Sequence, residues 1–447
     1  MISRTSLLVL SALFLGLSSA QSPDDQLGFV FQMVRHGARA PLKPQPPNVF
    51  KVAGGCLTAS GMRQRFLLGA YHREKYIEKY GLLDDTFNPN QIYSQATDVH
   101  RVLQSTYSEF QGLYPPTGDE FALSDGELSS LSSDKGMPPM KIRNSDAHKE
   151  AAAEDKQNRQ LRAVIDGYTM IPVFSYLPNS IYDDVNQKGC YYVDQCIQNQ
   201  ITDPKYYAGE GREVLPIVGY HLAQAYRWPQ SKVQGMNYLD FYLLADALVA
   251  EKFEGSPERA NFSGEDWFYI RNAQKVVLIK SFDTLARKLL ASRNFDAPMK
   301  QMGKKIDQLL GGTESRDSLR YILQSEHDTH LINAVQWLQP LSYDYVDMPF
   351  SSELVMELHY NQTCLNTPQD KGLSCFTVEA LNNNIPLQFD TCITANKGRG
   401  STSTTCLFED FVAHLDKRKV QTQNIFTQCQ SAYDPYPMMA ESFFLRD

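Results

Sequence analysis

After its first 20 residues, this 447-residue chain has no stretch of roughly 18 uninterrupted apolar residues, so no membrane span is expected there. It also lacks any paired CxxC motif, which argues against a zinc site or a redox dithiol. Basic residues are in deficit: 43 Lys and Arg stand against 51 Asp and Glu, for a net charge of −8, so there is no field to collect nucleic acid. An anionic ligand must be attracted locally. Internal repeats and long linkers are absent too, and with 42% hydrophobic and 21% charged residues the chain reads as one core carrying an insertion.

At the N-terminus, Arg4, the apolar run Leu7 to Leu17 and Ser18-Ser19-Ala20 read as a secretory signal peptide over 1–20, and the tail Glu441 to Asp447 carries no anchor signal. A lumenal or secreted protein with no stable membrane anchor is expected. Eight cysteines on that route favour disulfides, and short loops favour Cys364 with Cys375 and Cys392 with Cys406. Asn261 and Asn361 head glycosylation sequons.

The densest chemistry is Arg35-His36-Gly37-Ala38-Arg39-Ala40-Pro41, which follows the apolar run Phe29, Val30, Phe31, Met33, Val34. A buried strand there delivers a histidine between two arginines to the carboxyl edge of a sheet, where open α/β folds bind ligands. Two guanidiniums suit a phosphate, and the imidazole between them can attack phosphorus. A second strand, Leu319 to Gln324, leads to His327-Asp328.

Together these motifs resemble the histidine acid phosphatase family, nearer to its prostatic and lysosomal members than to its phytases. Leu57-Thr58-Ala59-Ser60-Gly61-Met62, Thr97-Asp98-Val99-His100-Arg101 and Leu113-Tyr114-Pro115-Pro116 extend the match, which resumes at Ile171-Pro172-Val173 and runs to about Phe411. The resemblance implies a phosphoglycerate-mutase-like three-layer α/β/α domain with an inserted, mainly helical cap. It also implies hydrolysis of a small phosphate monoester, with His36 as nucleophile and Asp328 as proton donor. Arg35, Arg39 and His327 would hold the phosphate, and no metal or cofactor is expected because the arginines replace a cation. A homodimer is compatible with the family. The lumen would be secretory or lysosomal/vacuolar. By the same resemblance, Cys429 should tie back to Cys190 or Cys196, which leaves Cys56 for the other.

Helix and strand patterns alternate up to residue 117, as a parallel sheet requires, and after the cap the Leu319 to Gln324 strand and a helix through Trp337 are followed by Leu354 to Leu358 and Phe376 to Val378, which read as antiparallel strands. Thr58 or Ser60 caps a helix burying Met62, Phe66, Gly69 and Ile77, and the prolines from Pro41 to Pro47 form a loop over the site entrance. Helical patterns at Glu213 to Tyr226, Tyr238 to Phe253 and Glu265 to Leu290 suggest the cap. The division expected is a leader over 1–20, a catalytic domain over 21–117 and 291–430, a polar insertion over 118–177 with a solvated helix from Asp146 to Arg162, a cap over 178–290 and a tail over 431–447. Aromatics such as Tyr206, Tyr207, Trp228, Tyr238 and Trp267 read mainly as packing. His72, His100, His148, His221, His359 and His414 read as surface or packing residues, and His330 stays outside the catalytic set.

One position departs from the family pattern. Where an Arg-x-Thr-Asp stretch should supply a third phosphate clamp, this chain has Gln95-Ala96-Thr97-Asp98, so Gln95 is at most a weak ligand. Loss of a charged hydrogen bond there costs about 1.5 to 3 kcal/mol, roughly 10- to 150-fold in rate. Arg101 belongs to a position expected to be structural. The competing readings are a weakened phosphate-binding protein, favoured by Gln95, and a phosphoglycerate-mutase-like phosphotransferase, opposed by the leader and the His-Asp pair.

Overall fold

The computed structural model describes residues 24–116, 124, 169–175, 189–202, 219–236, 238–271, 282–343 and 348–432. The leader, the Asp146 to Arg162 helix, Tyr206, Tyr207, His148 and nearly all of the expected tail lie outside them. Strand β1 (Asp25–Arg35) is buried on both faces, with Phe29, Phe31 and Met33 in one core and Val30 and Val34 in the other. That two-sided burial is why its sequence is a near-continuous apolar run. Helix α1 (Ala59–His72) follows, then β2 (Ile92–Ala96), α2 (His100–Leu113) and the short β3 (Phe174–Ser175). Next come α3 (Tyr191–Thr202), α4 (Tyr238–Phe253), α5 (Thr284–Gly311), β4 (Tyr321–Glu326) and α6 (Asp328–Leu338). Strands β5 (Glu353–Asn361), β6 (Phe376–Asn382), β7 (Ile385–Pro386) and β8 (Cys406–Leu407) close the sheet.

Sheet order is β3-β2-β4-β1-β5-β6-β7, with β8 paired to β6. The first four strands are parallel, and β5 and β6 run antiparallel. Residues of α5 and α6 cover one face and residues of α1 and α2 the other, a three-layer α/β/α arrangement. Helix α5 begins at its cap residue Asp283, whose side chain accepts from the Ala286 amide, and runs unbroken past residue 290. The helical pattern read from Glu265 to Leu290 is therefore interrupted at that cap. Disulfides join Cys364 to Cys375, Cys392 to Cys406 and Cys190 to Cys429. The expected fourth bond, Cys56 to Cys196, does not form. Cys196 packs in the core shared by α3, α5 and the C-terminal Cys429, whereas Cys56 lies on the loop whose carbonyl accepts from the Ala40 amide.

Of the four residues expected to be buried along helix α1, Gly69 and, just beyond the helix, Ile77 are, but Phe66 is only partly covered and Met62 faces outward. Met62 is 40% exposed, while Gly61, Arg65, Gly69 and His72 point inward. Close approach dictates this: a Cβ on Gly61 would meet the Ala38 carbonyl oxygen at 2.1 Å, and one on Gly37 would meet the Gly61 oxygen at 2.2 Å. Arg65 pairs with Glu109 of α2, whose carboxylate also accepts from Gln32 at 2.9 Å and lies 3.2 Å from His72 Nδ1. Glu353 stands 3.0 Å from His72 Nε2 and accepts from Gln32 at 2.9 Å. A core charge survives only when paired, and here each buried cation faces a carboxylate, although Arg65 Nε and His72 Nε2 complete no hydrogen bond.

Burial opposes protonation of His72, yet Glu353 and Glu109 push its pKa up from 6.5 to about 9. A raised folded-state pKa contributes stability that is complete below 6.5 and lost as pH rises through about 9, a loss of about 3 kcal/mol at most. His359, also pushed up to about 9, adds in the same direction. Denaturant unfolding of wild type should therefore weaken between those pH values, and His72→Gln should flatten the slope. An unchanged slope in the variant would mean that His72 is neutral in the native protein.

Candidate active site

Parallel pairing of β1 with β4 places Arg35 opposite Glu326, so the loops leaving both strands start level. The His36 amide donates to the Glu326 carbonyl at 3.0 Å, and the rings of His36 and His327 meet edge to face with centroids 5.4 Å apart. Two motifs almost three hundred residues apart in sequence thus share one sheet edge. The loop after β1 is fastened from both helices: Gly37 N donates to Ser105 Oγ at 3.0 Å, Ala38 N to Gln64 Oε1 at 2.9 Å, and Arg65 Nη1 to the Arg35 carbonyl at 2.8 Å.

His36 is buried, and its Nδ1 lies 2.8 Å from the Gly37 carbonyl. A carbonyl only accepts, so Nδ1 carries the hydrogen and Nε2 keeps the lone pair. Burial first, then Arg101, Arg35, His327 and Arg39, hold its pKa well below 6.5. The imidazole is therefore neutral, with its lone pair on Nε2.

Arg35 reaches Asp328 Oδ2 at 2.6 Å and donates to the Met348 carbonyl. Arg39 grips Asp246 of α4 with two bonds of 3.1 and 2.9 Å, and Asp246 also accepts from Leu42 N at 2.8 Å. Arg101 Nη2 donates to His327 Nδ1 at 3.3 Å, which leaves the hydrogen on His327 Nε2 to be given to Thr97 Oγ1 at 2.9 Å. In all three arginines the buried Nε–H has no partner. Burial alone would raise the Asp328 pKa, but Arg35, Arg39, the Thr329 amide and Arg101 hold it below the usual carboxylate range. Burial and its fellow guanidinium Arg39 bring Arg101 down to about 10, so it stays charged at neutral pH.

Gln95 is not joined to these groups. It lies within β2, in register with Gln324 of β4 and Phe174 of β3, and makes no hydrogen bond to Arg35, His36, Arg39, His327 or Asp328. The third cation is Arg101, in the first turn of α2, which has no acidic residue there. A cation at a helix N-terminus opposes the helix dipole, and that misfit is the sequence signal that sets Arg101 apart from an ordinary helix residue. Asp246 and Thr97 carried no comparable signal because their partners come from remote elements. His330 accepts from the His327 amide at 3.3 Å, so it supports the start of α6.

Among the described residues, one group, Glu357, His359 and Glu379, has the spacing to hold a metal. Glu357 pairs with Val30, well before His36 on β1, and is already held by Lys75 at 2.6 Å and His359 at 3.3 Å. It belongs to the middle of β1 and β5, away from the strand end that leads to His36.

Residues 45–199 match the histidine phosphatase superfamily, branch 2. Over 118 residues the chain is 37% identical to a lysosomal acid phosphatase of Xenopus laevis, covering 25% of this chain and 26% of the relative. Over 124 residues it is 37% identical to the prostatic acid phosphatase of Mus musculus, covering 26% of this chain and 32% of the relative. The chain thus matches only about a quarter to a third of the length of these curated relatives. The fold extends further. The phytase of Citrobacter braakii superposes with a TM-score of 0.55 at 15% identity, covering 91% of this chain and 99% of that chain. The Hafnia alvei phytase in complex with tartrate gives 0.57 at 14% identity, covering 92% and 100%. The sequence match over residues 45–199, the acid phosphatase relatives and the shared fold agree in likening the chain to the histidine phosphatase superfamily, branch 2.

Proposed function

We propose that this protein is an acid phosphatase of the secretory pathway that hydrolyses small phosphate monoesters through a phosphohistidine. One observation carries the reading: a buried imidazole with its Nδ1 hydrogen given to Gly37 stands among three guanidiniums whose Nε–H groups lack partners, with Asp328 alongside. His36 Nε2 attacks phosphorus, and the ester oxygen leaves with a proton from Asp328. Water, activated by the same carboxylate, then releases phosphate and frees His36. Arg35, Arg39 and Arg101 balance the phosphoryl oxygens, and His327 holds Arg101 in place. His327 can itself turn its Nε2 hydrogen from Thr97 to a phosphoryl oxygen. Asp246 on α4 fixes the Arg39 fork, and the helical segment around it serves as the cap. The three disulfides and the names of the acid phosphatase relatives support the secretory route.

Acid pH suits both reacting groups. Because the His36 pKa is so far depressed, mild acid leaves it unprotonated. Asp328 must hold a proton to act, and its protonated fraction falls as pH rises. A bound phosphoryl group offsets the guanidinium charge that keeps it ionised. Turnover of an aryl phosphate should peak at mildly acidic pH and be indifferent to chelator. An alkaline optimum, or loss of activity on chelation, contradicts the mechanism.

The weakened-binder reading rested on Gln95, and a third guanidinium at Arg101 removes its support. Arg101→Gln should weaken inhibition by inorganic phosphate about 10- to 150-fold, the range for a lost charged hydrogen bond. Gln95→Ala should change it by less than about twofold. Inhibition constants for the two variants decide the matter, and the opposite ranking returns the third clamp to Gln95.

A further inference from the structure

We infer that the alcohol portion of the substrate is apolar, a linear or aromatic body that leaves His36 along Phe350 into a cavity of about 440 Å³. The inference rests on the phosphatase reading and adds the substrate class. The cavity shares Arg35 with the phosphate site, and its apolar wall is formed by Val249, Phe253, Trp267, Met348, Pro349 and Phe350. Phe350 is the hinge between the two: its ring centre is 4.4 Å from the Arg35 guanidinium carbon and 6.0 Å from that of His36. Phe253 of α4 packs edge-on against it at 5.5 Å, continuing the aromatic surface outward, and is itself 43% exposed. An ester with its phosphorus at His36 therefore presents its alcohol carbons to rings.

Among the described residues the charges near this cavity do not suit a polyanionic polyol, which needs several uncommitted cations around its rim. Lys252 lies 3.7 Å above the Trp267 ring and 3.1 Å from Glu258, so its charge is already answered. Among the described residues Arg271 is the only other cation in the wall beyond Arg35, and it too is engaged. A second cavity of about 440 Å³, lined by Trp228, Lys232 and Asp240, contains none of the three site arginines and gives no path from the phosphate.

Ethyl phosphate and monomeric octyl phosphate discriminate cleanly, since both release a primary alkoxide and differ only in six methylenes. If partial burial gives about twofold per methylene, half the fourfold of full burial, kcat/KM should favour the octyl ester roughly 60-fold. Inositol hexakisphosphate should be the poorest of the three. Phe253→Ala and Trp267→Ala should each shrink the octyl-to-ethyl ratio at least about fivefold, whereas Phe253→Leu should largely keep it. A ratio near one, variants that lower both esters in proportion, or preference for the hexakisphosphate overturns the apolar pocket while leaving the phosphatase reading intact. Failure to turn over any ester rejects the phosphatase reading instead. Calorimetry with octylphosphonic and ethylphosphonic acids then tests the cavity by itself, and equal affinities overturn it.

Discussion

Replacing His36 with alanine is expected to lower turnover of any phosphate monoester at least about 10⁴-fold, because the covalent step itself disappears. The side chain is buried at a strand end, and what it gives up is one hydrogen bond to the Gly37 carbonyl and ring contacts with His327 and Phe350. Thermal unfolding should therefore move little compared with activity. The geometry makes a finer demand on wild type. Since Nδ1 donates to Gly37, phosphorus trapped by rapid quenching must be attached to Nε2. Peptide mapping locates the labelled residue, and phosphorus NMR distinguishes the two ring nitrogens. Label on Nδ1 reverses the tautomer argued above. Label on another residue, or an active alanine variant, rejects His36 as nucleophile.

The second large effect belongs to Asp328→Asn, and it should depend on the leaving group. An amide has no proton to give, so an alkyl phosphate, whose alkoxide leaves badly without one, should lose about 10²- to 10⁴-fold in kcat. A nitrophenyl phosphate departs as a stable phenolate and should lose far less in the first step. Burst kinetics then follow, because water attack on the phosphohistidine still lacks its base. The same substitution removes the carboxylate that Arg35 holds at 2.6 Å, freeing that guanidinium, so inorganic phosphate should bind tighter even as turnover falls. Equal losses on both esters with no burst would assign Asp328 a purely structural part at the head of α6.

Local sequence was enough to locate most of this site. An apolar strand run ending in Arg35-His36-Gly37-Ala38-Arg39 and a second strand ending in His327-Asp328 need no distant information to be seen, since strand ends and charge density are local properties. Thr58 as the cap of α1 and the two short-loop disulfides were legible for the same reason. The burial of α1 was legible only in part, at Gly69 and the following Ile77. Its apolar residues Met62 and Leu67 face solvent, while Arg65 and His72 are buried because Glu109 and Glu353 arrive from α2 and β5 to pair with them. No periodicity within α1 reports a partner on another element.

What the sequence by itself determined was the chemistry present: a histidine and two arginines at one strand end, a His-Asp pair at another, and an alternation of elements that requires a parallel sheet. Only the tertiary structure decided how those groups are charged and which of them meet. Register between β1 and β4 sets His36 beside His327, and packing of α2 against the same edge delivers Arg101 where Gln95 had been expected. Helix α4 closes Asp246 onto Arg39 from more than two hundred residues away. The physical reason is common to all three. Which groups face one another in a low-dielectric site depends on distances between remote elements, and the protonation state of each follows from those distances rather than from its neighbours along the chain.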